Sequence, residues 1–109
     1  MSAPPSDSET DCPPPPSFGD RLVRTMPIVN RKGLHARATA KFVQCVERFD
    51  ADITVTRCGE TVGGSSIMGI LTLGAGMGSS ITVAAGGAQA QEALDALAEL
   101  VANRFGEDE

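Results

Sequence analysis

Tryptophan and tyrosine are absent from this 109-residue chain and phenylalanine occurs four times, so the aromatic platforms on which single-stranded nucleic acid stacks are missing. Nine Lys and Arg stand against 14 Asp and Glu. That is too few bases for a stripe that tracks phosphates, and nucleic-acid binding is not expected. One histidine and three cysteines, Cys12, Cys45 and Cys58, do not assemble a common tetrahedral zinc set, so no metal is implied. The apolar run Ile67–Gly78 is short and rich in glycine, well below the roughly 20 apolar residues of a spanning helix. The N-terminus lacks the basic-then-apolar layout of a secretory signal, and an odd number of widely spaced cysteines makes no disulfide framework. A reduced, cytoplasmic setting away from membranes is expected. The two lysines, Lys32 and Lys41, form no Gly-Lys-Ser/Thr triplet, and Gly74-Ala75-Gly76 runs to Ser79 where a dinucleotide fingerprint needs its third glycine. Neither nucleotide-binding loop is present, and no cofactor is implied.

The length fits a single domain of ordinary size. Six of the seven prolines lie at positions 4, 5 and 13–16, among Ser, Asp, Glu and Gly. Such a segment buries too little apolar area to offset the entropy of ordering, and residues 1–20 are expected to form a disordered leader. Pro13–Pro16 is compatible with an SH3-type ligand, but an extended solvated tail is the plainer reading. All nine bases follow residue 20, whereas four acids lie within residues 1–20. The chain's acidity therefore belongs largely to the leader, with a folded domain expected over 21–105 and an acidic tail over 106–109.

Within the domain, Leu22–Val29 is apolar and β-branched, and Pro27 within it removes one ladder donor, which marks an edge strand. After the turn Asn30-Arg31-Lys32-Gly33, the spacing of Thr39, Phe42, Val46 and Phe49 predicts an amphipathic helix over Ala36–Phe49. Alternation around Ile53 and Val55, a turn at Cys58-Gly59-Glu60 and Thr61-Val62 predict a hairpin over about 52–64. Residues 67–73 suit a short helix capped by serine or a buried strand, and periodicity does not decide between them. Gly74–Gly78 reads as a loop, Ser80–Ala85 as a strand, and Ala90, Leu94, Leu97 and Val101 as the stripe of a helix reaching about Arg104, with Gly106 as its stop. With a helix at 67–73 the order is β-α-β-β-α-β-α. The implied architecture is an α+β two-layer sandwich, a four-stranded antiparallel sheet covered on one face by helices.

Chemistry concentrates on the solitary His35. A lone histidine is ordinarily a cap or a surface residue, but six of the nine bases (Arg21, Arg24, Arg31, Lys32, Arg37 and Lys41) lie between positions 21 and 41 without one acid. A helix N-terminus at this point adds unpaired N–H groups and the positive end of the helix dipole, an environment suited to phosphate. The plain alternative for the basic cluster is a solvated face. No carboxylate close in sequence supplies the base that rapid hydrolysis of a phosphohistidine would need. Carrying a phosphoryl group fits such a site better than spending it on water.

Gly33-Leu34-His35-Ala36-Arg37, then Ala38-Thr39-Ala40-Lys41-Phe42-Val43, with Ser66-Ile67-Met68-Gly69-Ile70-Leu71-Thr72-Leu73-Gly74 downstream, closely resembles HPr, the histidine phosphocarrier of the phosphoenolpyruvate-dependent phosphotransferase system. The similarity covers about residues 21–105 and implies the HPr-like open-faced sandwich with three helices, which makes 67–73 a helix. It further implies that His35 is phosphorylated on Nδ1 by enzyme I and that Arg37 contacts the phosphoryl group and the partner. By the same resemblance Ser66 is a regulatory phosphoserine, modified by an HPr kinase/phosphorylase, and Ala36, Ile67, Met68 and Leu71 dock enzyme I and a IIA-type acceptor. As a structural matter Ser66 is also a helix cap, and the two roles are compatible.

Two features depart from the family pattern. Ala38 stands where the family usually has proline, restoring an N–H in the first helical turn. Together with Ser-Ile-Met-Gly, it looks more like the HPr-type proteins of regulatory, nitrogen-type systems than like sugar-uptake carriers. The 20-residue leader is the second. The expectation is thus a monomeric carrier rather than an enzyme, with a regulatory binding module governed by Ser66 as the alternative and a histidine-dependent phosphohydrolase ranked below both.

Overall fold

The computed structural model describes residues 18–107, so most of the expected leader lies outside the described residues. Seven elements follow one another: β1 (Leu22–Pro27), α1 (Ala36–Val46), β2 (Asp52–Arg57), β3 (Glu60–Gly63), α2 (Ile67–Thr72), β4 (Ser80–Gly86) and α3 (Ala90–Ala102). The strands form one antiparallel sheet in the order β1-β4-β2-β3. β1 is an edge strand, and Pro27 is its last residue, opposite Ser80, where the missing donor costs little.

Register explains which side is covered. Met26 lies opposite Ile81, and Val83 sits between Arg24 and Val55 across the sheet. Ile53 is paired with Ala85 on the same face, and all the apolar members of this set are buried. Phe42, Val46, Leu94, Leu97 and Val101 close over them from the helices, as the helical spacing anticipates. Alternation sends the intervening residues to the other face, where Thr25, Thr82, Thr56 and Thr61 form one row across all four strands. The hydroxyls of Thr56 and Thr61 lie 2.7 Å apart, a polar cross-strand pair that needs no helix above it.

The order of elements and the sheet agree with the sequence expectation, and the ends of α1 and α3 differ. α1 ends at Val46 rather than Phe49, because the N–H groups of Arg48 and Phe49 bond three residues back, to Cys45 and Val46. This tightening ends the helix while leaving Phe49 packed against the core. The 67–73 ambiguity resolves as a helix, with Ser66 Oγ accepting from the Gly69 N–H at 3.1 Å. α3 stops at Ala102 rather than near Arg104, and the chain then enters a left-handed turn with φ of 58° at Arg104, 56° at Phe105 and 79° at Gly106.

Two non-glycine residues at positive φ cost about 1–2 kcal/mol each. Burial of the Phe105 ring, fully inaccessible to solvent, returns about 1.5–3 kcal/mol. The Lys41 ammonium adds a bond by donating to the Phe105 carbonyl at 2.6 Å. The turn at 104–106 is therefore held by an anchor in the core.

Gly33 shows a different constraint. Its φ is +66°, and an added Cβ would stand 2.5 Å from the Ala75 carbonyl oxygen, the same oxygen that accepts the Leu34 N–H at 2.8 Å. The loop before α1 is thereby pressed onto the 74–78 loop. Gly33→Ala is expected to lower unfolding free energy by about 2–3 kcal/mol, combining left-handed strain with displacement of backbone. Urea unfolding checks this, and Gly74→Ala, at positive φ but with open space around it, is expected to cost clearly less.

Candidate functional site

His35 is the N-cap of α1, with φ −72° and ψ 179°. Its carbonyl accepts the Thr39 N–H at 2.9 Å, while its side chain makes no capping bond. Leu34 behind it is buried and receives the Thr39 hydroxyl on its carbonyl at 3.2 Å. The backbone is thus pinned while the imidazole projects from the helix start, 28% exposed. The N–H groups of the first turn have no partners within the helix, as at any helix start.

A pocket of about 720 Å³ opens here, lined by Arg31, Lys32, His35, Arg37, Lys41, Gly106 and Glu107. Four cationic side chains thus surround one imidazole. Of the six bases clustered in sequence, the other two belong elsewhere, so the basic segment read from the sequence divides in space. Arg21 pairs with Asp52 and Arg24 with Asp95, the latter at 2.9 Å, because both sit on or beside the edge strand, away from α1.

Sequence reasoning missed two residues of the site, Asn30 and Glu107. His35 has no acid near it in sequence, yet the fold sets Glu107 Oε2 2.5 Å from His35 Nε2. The second oxygen of Glu107 accepts from Asn30 Nδ2 at 3.1 Å, and the same amide nitrogen donates to the Gly33 carbonyl at 2.9 Å. Asn30 is fully buried. The tail expected over 106–109 therefore contributes Gly106 and Glu107 to the pocket, while positions 108 and 109 lie outside the described residues. A signal for this contact was faint: Phe105, just before the Gly106 stop, is an apolar anchor, and an acid follows two positions later.

Of the remaining expected positions, Ala36 opens α1 and the others fall on and before α2, which packs against α1. They lie outside the pocket lining. Ser66 caps α2 through its hydroxyl. Ile67 and Met68 are exposed large hydrophobic residues, Met68 to 70%, whereas Leu71 is half-buried and Ala36 exposed. Ile70 is the buried residue of this helix.

Sheet and helices thus place the histidine at the head of α1 in a pocket lined by four cationic side chains and one carboxylate. Residues 22–103 match the family model described as the PTS HPr component phosphorylation site. The phosphocarrier protein HPr of Cupriavidus necator is 48% identical over 88 residues, covering 81% of this chain and 99% of that protein. The phosphocarrier protein NPr of Shewanella violacea is 40% identical, with 80% and 96% covered. Among solved structures, HPr-C-His from Thermoanaerobacter tengcongensis superposes with a TM-score of 0.78 at 39% identity, over 81% of this chain and 99% of that one. The chain belongs to the HPr family, the phosphocarriers of the phosphotransferase system.

Hydrogen bonding from Asn30 holds the Glu107 carboxyl below its ordinary range, with the bond and charge of His35 and the Lys32 charge acting the same way and partial burial opposing them. A carboxylate whose folded pKa is lowered stabilises the fold above its unfolded pKa, near 4.3 for Glu, and the contribution disappears as pH falls through the folded value. Carboxyl carbon NMR should therefore show Glu107 titrating below about 4.3. In Asn30→Ala the midpoint should move up toward that value.

Proposed function

We propose that His35 is the residue that carries the phosphoryl group, accepting it on Nδ1 from enzyme I and passing it to a histidine of a IIA-type protein. One observation carries this reading. The chain's single histidine stands at a helix N-terminus, without a capping bond of its own, inside a pocket lined by Arg31, Lys32, Arg37 and Lys41. Backbone N–H groups and cations there stabilise the oxygens of a bound phosphoryl group. Arg37, two positions into α1, is the residue suited to grip that group and the incoming partner. Family membership supports the carrier role.

Hydrolysis fits the geometry less well. The carboxylate that the fold supplies is engaged on Nε2 and on Asn30, and in that position it is not free to activate a water on phosphorus. The phosphoryl group is thus kept for transfer. His35→Ala is expected to abolish phosphorylation by phosphoenolpyruvate and enzyme I, read by intact mass and phosphorus NMR. A labelled His35→Ala protein would overturn the assignment.

Ser66 carries a second, regulatory part of the proposal. Its hydroxyl is exposed at the head of α2 beside Ile67 and Met68, where an HPr kinase/phosphorylase would find it accessible. Phosphate there adds about −1.5 to −2 charge next to an apolar pair that a partner must desolvate. Ala36, Ile67, Met68 and Leu71 form the proposed docking set for enzyme I and the IIA-type acceptor, engaged by a monomer in the cytoplasm. Ala38 in the first turn of α1 and the Ser-Ile-Met-Gly segment favour the regulatory, nitrogen-type branch over sugar uptake. Ser66→Asp should slow transfer from enzyme I about tenfold, as a docking loss of ~1.4 kcal/mol implies. Ser66→Ala should cost about 1 kcal/mol of stability through the lost cap while leaving transfer near the parent rate.

A further inference from the structure

We propose that Glu107 is a positioning residue for the phosphoryl transfer, holding the His35 proton on Nε2 and offsetting the charge the ring acquires when Nδ1 bonds to phosphorus. This rests on His35 being the phosphoryl carrier. The two nitrogens of a neutral imidazole share one proton, and the partner of one nitrogen decides which is left as the nucleophile. A carboxylate 2.5 Å from Nε2 accepts that proton's hydrogen bond. The lone pair then resides on Nδ1, and the ring is held in one orientation by the same bond.

The bookkeeping of the transfer shows why the charge matters. The Nδ1 lone pair forms the N–P bond, the bond from phosphorus to the donor breaks, and its electron pair stays with the donor. The proton on Nε2 remains where it is. The ring has then gained the positive charge of an imidazolium, and the carboxylate facing Nε2 compensates it. When the acceptor attacks, the N–P pair returns to Nδ1 and the neutral ring is restored with its proton still on Nε2. No proton has to be moved in either direction.

Glu107 is held there by more than one device. Asn30, fully buried, donates to its other oxygen. The left-handed turn at Arg104 and Phe105 swings the chain back from the end of α3, and non-glycine residues keep that conformation only where the surroundings enforce it. Here they are the buried Phe105 ring and the Lys41 bond to its carbonyl. The charged groups lining the pocket beside this pair are Arg31, Lys32, Arg37 and Lys41. Glu107 is the single carboxylate among the lining residues, so no other acid there duplicates its role.

The test uses the full chain with Glu107→Ala, Glu107→Gln and Glu107→Asp. Nitrogen NMR of the unphosphorylated protein at neutral pH should show the parent ring protonated on Nε2, with that proton slow to exchange. In Glu107→Ala the slow proton should vanish and the Nδ1-protonated form should grow. Single-turnover transfer from phosphorylated enzyme I should fall about 10- to 100-fold in Glu107→Ala, the size seen when a group orienting a histidine through its second nitrogen is removed. The loss should fall on the rate of transfer rather than on the concentration of enzyme I needed for half saturation. Glu107→Gln keeps an acceptor of nearly the same shape without the charge, so its ring proton should persist while transfer slows. Glu107→Asp should recover part of the rate. Ring signals unchanged in Glu107→Ala, or a variant that transfers as fast as the parent or faster, would overturn the proposal. Should Glu107→Ala fail to fold, the transfer rate of Glu107→Gln decides by itself. Phosphorylation of His35→Ala would instead sink the carrier assignment, whatever the ring signals show.

Discussion

The buried amide of Asn30 joins parts of the chain that no local rule connects. Its nitrogen donates both to Gly33, three residues on, and to Glu107, 77 residues away. The amide nitrogen of this buried side chain is satisfied by these two bonds, whereas its Oδ1 is buried without a partner among the described residues, and the two bonds tie the loop that presents His35 to the turn that follows the last helix. The loop itself is pressed onto Ala75 through Gly33 and Leu34. The histidine is consequently located by three segments, the 30–34 loop, the 74–78 loop and the 104–107 turn, with α1 as the rigid element to which it is attached.

The two helix starts on this side of the molecule are finished differently. At α2, Ser66 closes the first turn with its own hydroxyl, so a donor there is satisfied internally. At α1 the cap residue is His35, whose ring makes no such bond. Its side chain is engaged with Glu107 instead, and the first-turn N–H groups remain for an incoming anion. A serine at position 35 would cap α1 better and have no ring nitrogen to bond to phosphorus. On the proposed reading, stability at this turn is exchanged for chemistry, a departure from local rules that functional sites commonly show.

Much of the fold was legible because it is encoded locally. Pro27 marked an edge strand, the alternation of Ile53 and Val55 marked a hairpin strand, and the three- and four-residue spacings of Thr39, Phe42 and Val46 marked the buried face of α1. His35 and the basic residues around it were legible for the same reason, being neighbours in sequence. What escaped depends on distance. The end of α1 is set by tightened bonds at Arg48 and Phe49, not by a breaker residue, and Phe49 continues the apolar spacing past the point where the helix stops. Arg21 and Arg24 read as part of the basic cluster, but β1 carries them to Asp52 and Asp95. Glu107 reaches His35 across 72 residues, through a left-handed turn that propensities oppose at Arg104 and Phe105.

This last contact alters the chemical description of the site. From sequence alone, His35 sits in a field of one sign, and nothing nearby would accept the ring proton. The folded pocket has a mixed character, with four cationic side chains in its lining and one carboxylate on Nε2 of the ring. Such a division suits a group that must gain a phosphoryl group readily and also release it. Cations alone would stabilise the bound phosphoryl oxygens while disfavouring the charge that forms on the imidazole. A carboxylate on the phosphorus side would repel the incoming group. With the acid confined to Nε2 by Asn30 and the 104–106 turn, the proposed attraction of a phosphoryl group and the proposed compensation of the ring are spatially separated, and neither opposes the other.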